Sequence, residues 1–261
     1  MSARCAKNKA DLKWLIEEVP VQEKPYLKEI GLRRDSVESF DSYPFCIPGI
    51  RHLKSLKFHP DVTFFVGENG TGKSTLIEAI AVALGFNPEG GTKQSQFATN
   101  RTHSELNSYL RIVKSFRRPS DEYFLRAESF YNLATFMDET GYLRGYGGKS
   151  LHQQSHGESF MATLLNKLTG GGLYIMDEPE AALSPSRQMA ALSAIHGLVE
   201  QNSQFIIATH SPILLAYPRA WIYQFDEDGI KKIEYEESEH YSVTKQFLNG
   251  YHQLLEILME P

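Results

Sequence analysis

Two cysteines in 261 residues are too few for a disulfide framework, and neither Cys5 nor Cys46 shows the spacing of a structural metal site. No apolar run reaches the roughly 20 residues of a membrane span. The longest, LIEAIAVAL and FIIATHSPILLAY, are short or interrupted by polar residues, so no integral membrane segment is expected. The opening MSARCAKNKADLKWL lacks the basic start, apolar centre and small-residue cleavage site of a secretory leader, and the expected location is cytoplasmic. Solenoid periods and long heptad runs are missing as well. A formal net charge of -5 speaks against coating nucleic acid by bulk electrostatics. Local basic clusters remain at Gly31–Asp35 (GLRRD) and Lys114–Pro119 (KSFRRP), although runs of this kind are more often solvated faces.

What is present is an ordinary globular composition, 41% hydrophobic, enough for a sizeable core. Residues 1–24 read as an extension whose short helix ends at Pro20, and residues 25–261 as one domain. Between Tyr26 and Val66, the segments YLKEIGLR, RHLKSLKF and VTFFV predict a small sheet leading into a core strand. STLIEAIAVALGF has helical spacing and stops at Gly85 and Pro88. Residues 87–154 are rich in Gly, Ser, Asn and Gln, with one predicted strand in EYFLRAESF. From Glu158 onward a helix, the strand LYIMD, the helix SPSRQMAALSAIHGLVEQN and the strand QFIIATH alternate, which implies right-handed crossovers and a parallel sheet. WIYQFDEDGIKKIEYEE reads as a hairpin turning at Glu227 to Gly229, and SVTKQFLNGYHQLLEIL as a closing helix. The predicted class is α/β, a mostly parallel core sheet flanked by helices with a smaller antiparallel part.

Four elements carry chemistry. GENGTGKST, Gly67 to Thr75, follows a buried strand and opens an apolar helix, the context in which glycines let backbone N–H groups curl around phosphate. Gly67, Asn69, Gly70 and Gly72 would shape the loop. Lys73 would reach the β- and γ-phosphates, Ser74 would ligate Mg²⁺ and Thr75 would bond the α-phosphate. LYIMDEPE carries Asp177 and Glu178 to a strand end, where Asp177 can hold the magnesium shell and Glu178 can orient an attacking water. QFIIATHSP brings His210 to a second strand end, within reach of a γ-phosphate or its water. QSHGESF places Ser155 and Gly157 at a helix start, a second anion-gripping surface, which suggests that two chains share each nucleotide; standing alone it would be an ordinary N-cap.

In chain order these four elements resemble those of ABC-type ATPases: a Walker A at 67–75, a signature at 155–159, a Walker B at 173–178 and a switch histidine at 210, with 182–186 where the family's D-loop lies. TFFVGENGTGKSTLIEAIA, FLRAESFYN and EHYSVTKQFLN look more closely like small stand-alone bacterial ATPases of the AAA/ABC type. The resemblance implies a P-loop NTPase head binding ATP and Mg²⁺, with Ser155 and Gly157 of one subunit meeting the nucleotide of another in an ATP-sandwiched homodimer that switches a protein effector. SHGES departs from the transporter form LSGGQ and is nearer to SMC- and RecF-like heads, yet only about 80 residues separate Lys73 from Ser155, too few for coiled-coil arms. Glu128 is the expected stand-in for the family's Q-loop glutamine and a third metal candidate, with Gln94 and Gln96 behind it. The base reader of GTPases is missing its aspartate in NKLT, Asn166 to Thr169, so ATP is expected. Tyr43 or Phe45 could stack on adenine, although core packing is the favoured reading of either. Competing readings are a nucleic-acid-binding or defence module working with a nuclease or effector, a transporter's nucleotide-binding subunit and a small-molecule kinase.

Overall fold

The computed structural model describes residues 24–93, 104–129, 132, 133, 135 and 155–260. The expected N-terminal helix, Cys5, Gln94 and Gln96 lie outside the described residues.

Nine strands form two sheets among the described residues. In chain order they are β1 (Leu27–Leu32), β2 (Ser55–Lys57), β3 (Val62–Gly67), β4 (Leu110–Lys114), β5 (Asp121–Arg126), β6 (Gly172–Asp177), β7 (Gln204–Ala208), β8 (Trp221–Asp226) and β9 (Gly229–Ile233). The main sheet has the order β5-β6-β7-β3-β8-β9 and is parallel throughout except for the terminal β8–β9 hairpin. The smaller sheet, β2-β1-β4, is antiparallel. It is not the purely N-terminal sheet predicted, because its third strand comes from the middle of the chain.

Four longer helices are used below: α1 (Lys73–Leu84), α2 (His156–Ala162, continuing as a π-helical turn over Thr163–Lys167), α3 (Pro185–Glu200) and α4 (Glu239–Leu258). Strands β3, β6 and β7 are buried at every position. That is the expected state of a parallel sheet covered on both faces, and it explains their near-continuous apolar runs. Alternate side chains then feed two cores. Phe64, Tyr123, Tyr174 and Phe205 point to one face with Phe160 of α2 and Ile195 and Leu198 of α3. Phe65, Phe124, Ile175 and Ile206 point to the other, with Leu76, Ile77 and Ile80 of α1 and Leu27, Ile30 and Leu56 of the small sheet. Helix α1 shares a core with both sheets, so its burial extends around most of its circumference.

Phe64 is fully buried at the centre of this arrangement. Phe64→Ala should therefore cost about 3–5 kcal/mol, as other buried large-to-small changes do. Urea unfolding monitored by circular dichroism checks this: the midpoint should fall with the slope unchanged.

Candidate functional site

The parallel register brings the functional strand ends together. β3 ends at Gly67, β5 at Arg126, β6 at Asp177 and β7 at Ala208, just before Thr209 and His210. A ligand site outside the carboxyl edge of such a sheet is the general expectation. Gly67 has φ 139°, and a Cβ there would lie 2.2 Å from the Phe225 carbonyl oxygen of β8, so no side chain fits. The loop then runs over the sheet edge, with Asn69 and Gly70 exposed, and delivers Gly72 as the N-cap of α1. Ser74 and Thr75 sit in the helix's first turn, where unpaired N–H groups favour an anion. The buried Lys73 donates from Nζ to the carbonyls of Gly67 (2.7 Å) and Glu68 (2.9 Å). Burial lowers its pKa, and Glu178 and Asp177 nearby oppose that shift.

Asp177 is 5% exposed and accepts a hydrogen bond from Ser74 Oγ at 3.1 Å. Its carboxyl is pushed up to about 6, chiefly by burial, against the nearby Arg126 and the Ser74 bond. Arg126, beside Asp177 in the β5–β6 register, was missed by the sequence reading. Its guanidinium bonds Glu78 of α1 at 2.6 Å and Glu128 at 3.0 Å, and its Nε lies 3.8 Å from Asp177. Glu128 itself is 81% exposed and hydrogen-bonds Arg126. Any direct metal role for Glu128 would need this arginine to rearrange.

Glu178 follows Asp177 with φ 52° and ψ 51°, a left-handed conformation that costs a non-glycine residue free energy and recurs at functional sites. Its N–H donates to the Ala208 carbonyl at 2.9 Å, tying it to β7, while its side chain stays 43% exposed. The nearer carboxylate oxygen is 3.8 Å from His210 Nε2. His210 is held twice: its backbone N–H donates to Glu180 Oε1 at 2.5 Å, and its Nδ1 lies 2.8 Å from His240 Nε2. Burial lowers the pKa of both imidazoles, with Lys73 adding to the shift.

The predicted signature is a capped helix start. Ser155 Oγ accepts from the Glu158 N–H, and Glu158 reaches back to the Ser155 N–H at 2.9 Å, a complete capping box. Arg187 of α3 donates to Ser155 Oγ at 3.3 Å and to Glu158 at 3.4 Å. The bonds from the Ser155 N–H and hydroxyl hold the Glu158 carboxyl below its usual range, the backbone bond being the largest cause, and Arg187 adds to the same shift. Gly157 is buried against its own chain: a Cβ there would lie 2.6 Å from the Ala182 carbonyl and from Arg187. The glycine thus lets α2 pack closely on Ala182, where the 3₁₀ turn Pro179–Ala182 leads into the predicted D-loop at 182–186, whose Ser184 caps α3. Phe45 is buried edge-on to Tyr109 (4.9 Å), which removes it as an adenine platform, whereas Tyr43 is 65% exposed.

Among the described residues no group of three His, Cys, Asp or Glu side chains could hold a metal ion. Mg²⁺ does not require one, since it keeps several waters and takes one or two protein ligands beside substrate phosphates. Ser74 with Asp177 is a donor set of that kind. Two buried polar atoms beside it, Arg126 Nε and His210 Nε2, have no hydrogen-bond partner, and buried polar groups normally find one. An anionic ligand and its cation at this edge fit the residues present.

Two family models match consecutive parts of the chain: "AAA domain" over residues 36–159 and "AAA domain, putative AbiEii toxin, Type IV TA system" over residues 159–216. No curated protein matches. Among solved structures, the chain is similar to cbiO1 from Clostridium perfringens, part of the ABC transporter complex cbiONQ, at 18% identity and a TM-score of 0.45, covering 78% of this chain and 91% of that one. It is also similar to the SMC head domain from Thermotoga maritima, at 15% identity and a TM-score of 0.43, covering 80% of this chain and 99% of that one.

The raised Asp177 pKa has a thermodynamic sign. A folded carboxyl that keeps its proton longer than the unfolded one contributes stability that is lost as pH rises through about 6. Without nucleotide, Asp177→Asn should therefore melt no lower than the native chain at pH 7.5, and the difference should shrink towards pH 4. Differential scanning fluorimetry reads both. A drop of several degrees at pH 7.5 would mean that pairing with Arg126 outweighs the cost of burying the charge.

Proposed function

We propose that this chain, a small P-loop ATPase head of the AAA/ABC type, binds Mg-ATP at Gly67–Thr75, hydrolyses it, and uses ATP-dependent pairing of two copies as a switch for a protein effector. The observation that carries the reading is the convergence of Lys73, Ser74, Asp177, Glu178 and His210 at one sheet edge. Lys73 would exchange its two carbonyl partners for β- and γ-phosphate oxygens, a charge-assisted bond in a half-buried site. Ser74 and Asp177 would hold Mg²⁺, which when bound neutralises phosphate charge. Glu178, strained but free to swing, is positioned to orient a water for attack on the γ-phosphorus and accept its proton as the bond to ADP breaks. His210 Nε2 supplies a polar contact from the neighbouring strand.

The helix start at Ser155 supports the paired arrangement. It offers backbone N–H groups to an anion, but Glu158 of the same chain already caps it. A γ-phosphate from a second copy would have to displace that carboxylate, and Arg187 is placed to receive it. Among the described residues no helix is long and apolar enough to cross a membrane. A cytoplasmic location belongs to the same proposal.

A second reading, in which nucleotide binding licenses contact with nucleic acid, is favoured by one observation. Lys114, Arg117 and Arg118 line a cavity of about 520 Å³ with Lys93 and the exposed Phe116. Cations beside an aromatic ring suit a phosphate backbone and a stacked base.

Turnover assays separate the roles. Lys73→Ala should lose nearly all ATP binding or hydrolysis. Glu178→Gln should keep Mg-ATP affinity and lose about 10²–10⁴-fold in kcat, the usual worth of a positioned base; hydrolysis at the native rate would remove Glu178 from that role. Ser155→Arg should bind Mg-ATP normally yet fail to turn it over. For the second reading, DNA affinity should appear with Mg-ATP and fall with salt in proportion to the phosphates contacted; an affinity indifferent to salt counts against it.

A further inference from the structure

His210 and His240 stand ring against ring, centroids 4.9 Å apart and planes 14° from parallel, with Nδ1 of the first 2.8 Å from Nε2 of the second. His240 comes from the first turn of α4, which follows a short anchored segment. Ser238 Oγ donates to the Tyr235 carbonyl at 2.7 Å, and the Tyr235 hydroxyl donates to the Pro212 carbonyl at 2.9 Å, two residues beyond His210. The segment that carries His240 is thus fastened to the loop that carries His210. No residue of α4 is fully buried, and His240 is partly covered where it meets His210.

A hydrogen bond between two imidazoles needs one nitrogen to donate and the other to accept, so the pair has a choice of two tautomeric arrangements. If His210 donates from Nδ1, its Nε2 becomes a lone pair turned towards the Glu178 carboxylate, two acceptors facing each other at 3.8 Å. If His240 donates from Nε2, His210 carries its proton on Nε2, aimed at Glu178 and at the edge where phosphate oxygens would lie. Burial, with Lys73 adding to it, lowers the pKa of both imidazoles, which disfavours a doubly protonated His210 as a way out of this choice.

We infer that His240 is a positioning residue: by donating to Nδ1 it locks His210 in the Nε2–H tautomer, so that the buried and otherwise unpartnered Nε2 presents a donor to the γ-phosphate or its attacking water. The catalytic part of this inference rests on the ATPase reading above; the tautomer does not. It also makes the first turn of α4 part of the site, although none of its residues is in the nucleotide-binding motifs. A device of this kind matches the partners that fix the ring orientation and tautomer of metal-bound histidines.

Three substitutions test it. Glutamine can donate from its amide to Nδ1, glutamate can only accept from it when ionised, and alanine does neither. Ring ¹⁵N spectra of the full chain, without nucleotide, should show His210 protonated on Nε2 in the native protein and in His240→Gln. In His240→Glu the proton should move to Nδ1 or His210 should become doubly protonated. In Mg-ATP turnover, His240→Gln should stay within about threefold of native kcat, while His240→Glu should fall by ~10- to 100-fold with KM little changed, the range seen when the partner of a functional histidine is removed. His240→Ala should fall between them, and melting temperatures verify that each variant is folded. A native His210 protonated on Nδ1, or equal kcat for the Gln and Glu variants, overturns the inference. The expected tautomers in a chain that hydrolyses no ATP would leave His240 as the positioning residue and refute the ATPase reading instead.

Discussion

The parallel register that sets Arg126 beside Asp177, Asp177 beside Ala208 and Ala208 beside Phe65 brings four strand ends to one edge of the main sheet. Each group at the site depends on that alignment. The glycine loop is fixed at Gly67 because β3 is pressed against β8, leaving no room for a side chain. Glu178 is held in its left-handed conformation by one bond to the end of β7, and His210 by the Glu180 carboxylate on the far side of the same turn. A shift of β6 by one residue would exchange Asp177 with an apolar neighbour, since successive side chains face opposite cores.

Charge within the site is balanced by geometry more than by number. Asp177 is buried deeply enough to raise its pKa, yet Arg126 approaches it only to 3.8 Å because two other carboxylates, Glu78 and Glu128, take the guanidinium's better-placed N–H groups. Lys73 answers two loop carbonyls, and Glu158 answers the first turn of α2. Binding of an anion with its cation therefore has to compete with internal hydrogen bonds whose partners lie in the same chain. Such competition is how a ligand acquires different affinities for two arrangements of one protein, the requirement for any switch.

Much of this was legible in the sequence where a motif coincided with a buried strand. VTFFV before the glycine loop, LYIMD before Glu178 and QFIIA before His210 are apolar runs whose ends are the site, so motif and strand identify each other. The residues that were missed are those whose role is set across the chain. β4 buries only Leu110 of its five residues fully and has no apolar alternation to announce it, which is why the small sheet was read as wholly N-terminal. Arg126 gains its place from register with Asp177, and His240 meets His210 across thirty residues of a hairpin and a helix start. Phe45 packs in the core, as its sequence context favours, but its partner there, Tyr109, comes from a segment some sixty residues away. The Ser155-x-x-Glu158 capping box, by contrast, was readable from spacing alone, and it qualifies the helix start as a free anion site.

The central claim is that the edge formed by Lys73, Asp177 and Glu178 works with a second copy of Ser155 in response to ATP. The solution mass of Glu178→Gln, measured by light scattering during gel filtration with and without Mg-ATP, tests it most directly. The account predicts a monomer that becomes a dimer with Mg-ATP and returns to monomer when the magnesium is chelated. A mass that ignores Mg-ATP, with binding demonstrated on the same sample, would contradict the pairing and reduce the Ser155 helix start to the N-cap that it structurally is.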